Sequence, residues 1–439
     1  MFKTLQNAWK IQEVRKGLIY TFIMLIIIRI GSQLPIPGVV EGYFDNWFKN
    51  NSSDAFNFMD AITGGSFANM SIFALSITPY ITSSIIMQLL TIAIPKLEEI
   101  QRDGEEGRKK ITEITRYVTV GLALTESLAM AIGFGRQGLL ENYNALNVIV
   151  TVVTLTAGSA LLMWIGEQIT EKGVGNGISI VLLINIVSRV PADVSGLFET
   201  FVASKDNIAK AGLAAVIILA VILVTTVLVI ILQDAERRIA VQYSRKVQGR
   251  NQVGGQSTHI PLKVNTAGVI PIIFASSLMQ LPMVVATLVG WKGGTGVGAH
   301  ILSALNSSNW CNPENWSYSI GLLVYILLVV GFAYFYTSIT FNPIEIADNM
   351  KKQGGSLLGV RPGKPTVDYL TSVLNYIIFI GAVGLIIVAV IPIFFNGYFG
   401  ASVSFGGTSL IIIAGVILET IKQIESKMLV RYYKGFLSN

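Results

Sequence analysis

The sequence predicts an all-α membrane protein with ten transmembrane helices, and its composition alone excludes most other classes. Of its 439 residues, 52% are hydrophobic and only 13% are charged, whereas a soluble domain carries about 25% charged residues. So few charges cannot cover a soluble surface, which excludes a cytosolic enzyme and a disordered chain. The single cysteine, Cys311, excludes a disulfide scaffold.

Ten apolar segments make up much of the chain, and a helix needs roughly 20 such residues to cross a bilayer. The segments are residues 17–34, 71–92, 117–134, 147–168, 176–191, 211–232, 267–290, 318–340, 372–394 and 406–421. The first is predicted to be a retained span, because Arg29 and then PIPG (35–38) occupy the region where a signal peptide would have its cleavage site. The fifth is short and follows the glycine-rich residues 173–177.

The distribution of Lys and Arg predicts the orientation. If both termini lie on one side, that side holds 25 of the 32 basic residues and the other side holds 6, with Arg29 inside the first span. Basic residues are retained on the cytoplasmic side, so both termini are predicted to be cytoplasmic. An even number of spans requires the same arrangement, and the two interpretations therefore agree.

The ten spans divide into halves at 1–195 and 196–439, and each half contains one strongly basic loop. Because five spans reverse the orientation, the two halves are predicted to be inverted relative to each other, as in many transporters. Residues 58–70 are too polar and too short to span, yet they run directly into the second span. They predict a half-helix that re-enters the membrane, and an interfacial loop is the alternative.

No catalytic or metal centre is predicted. The two histidines, His259 and His300, lie in different loops and cannot form a metal site or a histidine-based catalytic cluster. The dipeptide Gly363-Lys364 resembles the end of a phosphate loop, but Pro365 stands where Ser or Thr is required. An intramembrane enzyme is disfavoured because no Ser–Lys or paired-Asp constellation is evident.

Charges inside the spans are few, which bears on transport of small solutes. Arg29, Glu126 and, near a helix end, Glu419 are the charges considered inside the spans, and Arg189, near the end of the fifth span, is counted with the following loop. An ion-coupled transporter needs several facing charges near the midplane. A secondary transporter therefore remains only as the alternative function. For Glu126, a protonated carboxyl or contact with a polar cavity is favoured over a role in ion coupling.

Uncharged polar residues cluster in the second and seventh spans. Contacts of this kind between helices in lipid stabilise by roughly 0.6–2 kcal/mol each, which suits helices that separate; ordinary small-residue packing is the alternative. The clustered residues are Ser71, Ser76, Thr78, Ser83, Ser84, Gln88, Thr266, Ser276, Ser277 and Gln280.

The order of short motifs along the chain resembles the SecY/Sec61-alpha family of protein-translocation channels. The matching strings are RIGS (29–32) with PIPG (35–38), SIFAL (71–75) with PYI (79–81), WIGEQIT (164–170) with GNGIS (175–179), QSTHIPLKVN (256–265), GVIP (268–271) with FASS (274–277), FNP (341–343), GVRPG (359–363) and FGGTSL (405–410). Each is weak alone, but together they span the chain in the family's order and are highly specific.

The resemblance implies a clamshell of two inverted five-helix halves around an hourglass pore that is closed by a re-entrant plug half-helix. It implies a protein-conducting channel of the general secretory pathway in the bacterial plasma membrane. Such a channel translocates unfolded preproteins and releases transmembrane segments sideways into lipid, without an enzymatic step or a cofactor. The implied partners are the SecE and SecG subunits, the SecA motor ATPase, the ribosome, signal sequences with nascent chains, and the lipid bilayer.

The resemblance also assigns three groups of residues by motif. The pore ring is Ile77, Ile81, Leu182, Ile273 and Ile412; the plug includes Ile62, Thr63, Gly64, Gly65, Ser66 and Phe67; and the lateral gate includes Ser76, Thr78, Ser83, Gln88, Glu126, Ser276, Ser277 and Gln280. A ring of aliphatic side chains binds no segment strongly, and a narrow apolar waist dewets when it is empty. Two residues depart from the family pattern: Glu126, and Leu182 in place of a β-branched residue.

Two cytoplasmic loops, residues 233–265 and 342–371, resemble docking arms for the motor and the ribosome. The alternation in RIAVQY (238–243) and the pair Gly254-Gly255 predict a protruding hairpin. Arg361 is the strongest candidate, because Gly359, Pro362 and Gly363 place it on a shaped turn. The basic residues of the loops are Arg237, Arg238, Arg245, Lys246, Arg250, Lys351, Lys352, Arg361 and Lys364.

Overall fold

Each of the ten predicted spans overlaps a helix in the computed structural model. The structure describes residues 6, 8–40, 42–44, 60, 62–203, 208–243, 246–248, 251–253, 257–288, 297–313, 316–399 and 407–436. The thirteen helices in these ranges are α1 Gln12–Gly31, α2 Thr78–Ala93, α3 Pro95–Arg102, α4 Glu105–Gly133, α5 Ala145–Lys172, α6 Gly177–Phe198, α7 Ile208–Asp234, α8 Ile270–Leu288, α9 Val297–Leu305, α10 Ile320–Thr340, α11 Pro343–Lys352, α12 Lys364–Phe399 and α13 Gly407–Phe436.

Fewer than ten of these helices meet a strict test of length and hydropathy for a membrane span. In the described ranges six do, and the number is seven if α2 and α3, bent by 106° at their junction, form one span. The other three predicted spans lie on α1, α8 and α13. The first and last of these carry charges such as Arg29 and Glu419, and α8 is recorded as a shorter apolar helix over Ile270–Met279. The full set of ten membrane crossings therefore stays a prediction.

The chain forms two compact units that differ from a simple division into halves. The first unit contains residues 1–196, 282–299 and 416–439, and the second contains residues 197–281 and 300–415. The first boundary falls next to the predicted one at 195, whereas the C-terminal part of α13 belongs with the N-terminal unit. One reason is a small cluster in which Ile424 packs with Ala8, Val14 and Val174.

The segment before α2 differs from the predicted half-helix. Helix is present at residue 60 and at residues 62–63, but residues 64–70 form turns, and α2 begins at Thr78 rather than at 71. Gly64 and Gly65 have φ values of +69° and +84°, and Met70 and Ser76 have +42° and +52°. Left-handed backbone is incompatible with a continuing right-handed helix, so these four positions keep the segment folded as turns. Residues 58, 59 and 61 lie outside the described residues.

The second unit contains a small sheet that joins the two basic loops. The strands are β1 Glu236–Tyr243, β2 Lys246–Gln248, β3 Asn251–Val253, β4 Ser257–Lys263 and β5 Gly355–Leu357. β1 pairs antiparallel with β4, as the predicted hairpin requires, whereas the predicted turn residues Gly254 and Gly255 lie outside the described residues. β2 pairs with β3 in a separate two-stranded sheet. β5, from the second loop, pairs antiparallel with the other edge of β1.

Close helix packing in the first unit gives a direct test of the fold. A Cβ added to Gly158 in α5 would clash with the carbonyl oxygen of Ile72, whereas one added to Gly121 in α4 would meet nothing within 4 Å. Gly158→Ala should therefore lose about 1–3 kcal/mol of stability through overpacking. The control Gly121→Ala should gain up to about 1 kcal/mol from helix propensity. Thermal unfolding in detergent measures both, and a Gly158→Ala midpoint at or above the parent value would contradict this packing.

Candidate functional site

The predicted plug is a compact turn that is stabilised by its own side chains; we call residues 60 and 62–70 the plug segment. One carboxylate oxygen of Asp60 accepts the backbone N–H of Ala68 at 2.8 Å, and the Asp60 carbonyl accepts the N–H of Gly65 at 3.0 Å. The Thr63 hydroxyl accepts the N–H of Phe67 at 3.2 Å. These bonds satisfy backbone groups that a helix would have satisfied internally.

Most of the plug segment is buried within the first unit. Thr63, Ser66 and Phe67 are each about 1% exposed. The ring of Phe67 lies 4.7 Å from that of Phe44, which in turn lies 5.1 Å from Phe134. Ile62 and Gly65 are half-buried and Gly64 is buried. All six predicted plug residues therefore belong to one packed segment.

The C-terminal end of the plug segment is tied to the loop that follows α1. The N–H of Ile36 donates to the carbonyl of Met70 at 3.0 Å, and the N–H of Ile72 donates to the carbonyl of Leu34 at 3.0 Å. Near the same loop, burial raises the pKa of Tyr43, whose neutral hydroxyl donates to the carbonyl of Gln137 at 3.3 Å. Backbone hydrogen bonds thus fix this end of the segment.

The N-terminal end of the plug segment lies against α6, in contacts that were not predicted from the sequence. Arg189 forms an ion pair with Asp60, with Nη1 and Oδ2 2.7 Å apart. A Cβ on Gly64 would come within 2.7 Å of the Asn185 carbonyl oxygen, so the two backbones approach closely. The available signal was an arginine near the end of the fifth span and an aspartate in a polar re-entrant segment of an apolar chain.

Two of the predicted gate hydroxyls, those of Ser76 and Ser83, form hydrogen bonds inside the first unit. The Ser76 hydroxyl accepts a hydrogen bond from the Asn185 amide at 3.1 Å, and both residues are buried. The Ser83 hydroxyl donates to the carbonyl of Thr115 in α4 at 2.8 Å. These bonds join the turn before α2 to α6 and join α2 to α4. The gate role of Ser76 and Ser83 stays a prediction.

The remaining gate residues are more accessible. Thr78 and Glu126 are half-buried, whereas Gln88 and Ser277 are exposed. In the second unit, Ser276 is hydrogen-bonded to the Tyr325 hydroxyl in α10. The side chain of Gln280 lies outside the described residues. The gate assignment of these residues stays a prediction.

The five predicted ring residues differ in their surroundings. Ile77 is fully buried, and its Cδ1 lies 3.5 Å from the position that a Cβ on Gly166 of α5 would take. Leu182 is 9% exposed and Ile412 4% exposed, whereas Ile81 and Ile273 are half-buried. Ile77, Ile81 and Leu182 belong to the first unit, and the other two to the second. The ring itself stays a prediction.

The described basic residues of the two predicted docking loops lie on or beside one sheet. Arg237, Arg238, Lys351, Lys352, Arg361 and Lys364 are exposed, and Arg238 pairs with Glu236 at 2.7 Å. Arg245, Arg250 and the side chain of Lys246 lie outside the described residues. The turn that carries Arg361 has positive φ at Gly359 (+80°) and Gly363 (+105°), and the Thr366 hydroxyl donates to the Arg361 carbonyl at 2.9 Å. The backbone of the turn is therefore held in one conformation, and Arg361 is exposed on it.

Comparisons with known proteins agree with this architecture. The SecY family model matches residues 71–421. The protein translocase subunit SecY of Halalkalibacterium halodurans is 42% identical over 443 aligned residues, which cover 100% of both chains.

Solved structures give the same fold at lower identity. One is of a SecY protein whose plug domain is described as stabilising the closed state of the translocation channel and maintaining a membrane seal (TM-score 0.67, 17% identity, 97% of both chains). Another is Sec61 in a canine ribosome–channel complex from the endoplasmic reticulum (TM-score 0.64, 16% identity, 97% of both chains). The chain is 42% identical to a SecY translocase subunit over its full length and shares the fold of solved SecY and Sec61 structures. It therefore belongs to the SecY family.

Proposed function

We propose that this chain is the protein-conducting channel of a bacterial plasma-membrane translocase. It passes unfolded preproteins outward and releases apolar segments sideways into lipid, with both termini in the cytoplasm. The observation that carries the proposal is the plug segment: turns with left-handed residues, packed inside a unit of apolar helices. Non-helical backbone at membrane depth is tolerated only inside protein or beside a watery cavity, and a channel that must close needs such a removable element.

The aliphatic ring explains how one passage accepts every polypeptide. A translocating chain presents all side-chain types, so fixed charges or donors at the waist would hold some segments and slow their passage. Ile81, Ile273 and the other ring residues offer only weak dispersion contacts, each on the order of 0.1–0.2 kcal/mol per atom pair. Such a waist deforms around a chain and excludes water when it is empty.

The proposed partners rest on the resemblance to the SecY family and on the basic loops. SecA or the translating ribosome supplies the energy, and the exposed arginines and lysines of the second unit's sheet contact acidic patches or RNA phosphates. Ribosome binding through such residues weakens with salt. SecE and SecG are the proposed small membrane subunits of the complex.

Reconstitution tests the proposed function against the transporter alternative. We expect the chain to co-purify with a small one-span or three-span partner and, in proteoliposomes with SecA and ATP, to bring a preprotein into a protease-protected lumen. Vesicles without ATP are the control. Uptake of a small solute down an ion gradient, with no protected preprotein, would favour a secondary transporter and contradict the proposal.

A further inference from the structure

The two ends of the plug segment are held by different kinds of contact. At 70–72 the segment is bound by backbone hydrogen bonds of 3.0 Å to the loop after α1. At 60–64 it meets α6 through a close backbone approach at Gly64 and through the Arg189–Asp60 ion pair, with Nη1 and Oδ2 2.7 Å apart. Two further polar contacts of this end are longer: the Ser188 hydroxyl donates to the Gly64 carbonyl at 3.5 Å, and Arg29 of α1 donates to the same carbonyl at 3.4 Å.

Asp60 divides its two carboxylate oxygens between two tasks. One oxygen accepts the Ala68 N–H and so shapes the segment internally, while the other faces Arg189 on α6. Asp60 is only 1% exposed, whereas Arg189 is 36% exposed and also lies 3.7 Å from Asp193, one helical turn further on. The buried carboxylate of Asp60 thus contacts a guanidinium that is itself partly exposed.

A pair in this position stabilises the seated segment without making release prohibitive. Separating a buried carboxylate from its counter-ion is costly while the carboxylate stays buried, but moving it into water restores its hydration. The guanidinium is partly exposed and keeps Asp193 as a second anionic neighbour at 3.7 Å when Asp60 leaves. The contact therefore favours two states, paired and fully released, over intermediate positions.

We propose that Arg189 is a positioning residue that latches the plug segment: its ion pair with Asp60 sets how often the empty channel opens. The segment then leaves its seat by turning about residues 70–72, with the Asp60 end moving first. The inference rests on the proposed role of residues 60–70 as the plug. It adds which bond holds that plug and from which helix.

A double-mutant cycle in proteoliposomes tests the latch, with iodide leak through the idle complex as the readout. Asp60→Asn retains an oxygen for the Ala68 N–H but removes the charge, and Arg189→Gln removes the partner. We expect each to raise the leak roughly tenfold, and the double variant to raise it by the same factor rather than by the product, because one interaction is lost in all three. Arg189→Lys should restore part of the seal, and Arg136→Gln, an exposed arginine outside the site, should leave it unchanged.

A second readout reports movement of the segment itself. In a Cys311→Ser background, Ser66→Cys places the chain's only thiol at a position that is 1% exposed and whose hydroxyl makes no hydrogen bond to the described residues. We expect maleimide to label this thiol roughly tenfold faster with Asp60→Asn or Arg189→Gln than with Arg136→Gln. The double variant leaves neither charge unpaired, so it keeps the test valid if a single variant folds poorly.

The Asp60 and Arg189 variants test the latch, and a separate deletion tests the plug assignment. A parental leak and labelling rate in all three Asp60 and Arg189 variants overturns the latch, and so does a double variant whose leak is the product of the single effects. Deletion of residues 62–67 tests the plug separately. If this deletion leaks while the latch variants do not, the plug stands and the latch fails; if the deletion keeps the seal, the proposed plug itself is wrong.

Discussion

Ile81→Gly combined with Ile273→Gly makes the resting channel conduct ions. Both residues are half-buried, so their side chains are not consumed by packing in the way that Ile77 is. Removing two aliphatic side chains widens the proposed waist, and a wider passage holds water when no chain occupies it. We expect the ion conductance of membranes with idle complexes to rise at least about tenfold. Lowering the free-energy barrier for ions at the dewetted waist by about 1.4 kcal/mol gives that factor.

A matched control separates the waist from the general cost of glycine in a helix. Leu90 in α2 and Leu278 in α8 are exposed aliphatics, 36% and 51% accessible, on the same two helices. Leu90→Gly with Leu278→Gly loses the same helix propensity, about 1 kcal/mol per residue relative to alanine, but leaves the waist intact. Equal conductance in the two double variants, or none in the first, would sink the ring assignment.

Arg361→Glu should stop motor-driven export while leaving the protein inserted and assembled. Arg361 is exposed on a turn that Gly359, Gly363 and the Thr366 hydroxyl hold in shape. Reversing its charge replaces an attraction to an acidic partner surface with repulsion, and disrupting one such contact costs roughly 2–5 kcal/mol. Export of a preprotein, followed in cells or in vesicles with SecA and ATP, should therefore fall at least about tenfold.

Arg136→Glu is the matched control for the docking prediction. Arg136 is also exposed and the substitution changes the net charge by the same amount, but the residue lies in a loop on the predicted outer side. It should leave export unchanged. Normal export by the Arg361→Glu protein, with normal amounts in the membrane, would contradict a docking role for this residue.

Hydropathy and residue alternation were enough to predict the apolar helices and the strand β1. The hydropathy of each apolar segment placed ten helices, and the alternation in residues 238–243 placed β1 and its hairpin. The turns before α2 were less accessible, because residues 71–77 are apolar enough for a helix. The left-handed backbone at Ser76 is supported by a hydrogen bond from Asn185, and nothing near Ser76 in the sequence indicates that partner.

The contact between Arg189 and Asp60 was also not predicted, because the two residues are far apart in the sequence. Arg189 lies at the end of the fifth span, where a count of charges treats it as a loop residue, and Asp60 lies far away in the chain. β5 has three residues, too few for any periodic signal, so its pairing with β1 follows only from the tertiary structure. Long-range pairs of polar groups and short edge strands leave no trace in a local pattern.

The edge pairing of β5 has a mechanical consequence. β1 begins two residues after the end of α7 at Asp234, and the N–H of Val264, just beyond β4, donates to the carbonyl of Ala235 at 2.9 Å. The sheet thus connects the turn at Arg361, through β5 and β1, to the C-terminal end of α7. If a motor docks on this turn as proposed, its push passes through the sheet to α7, and the two loops transmit that force together.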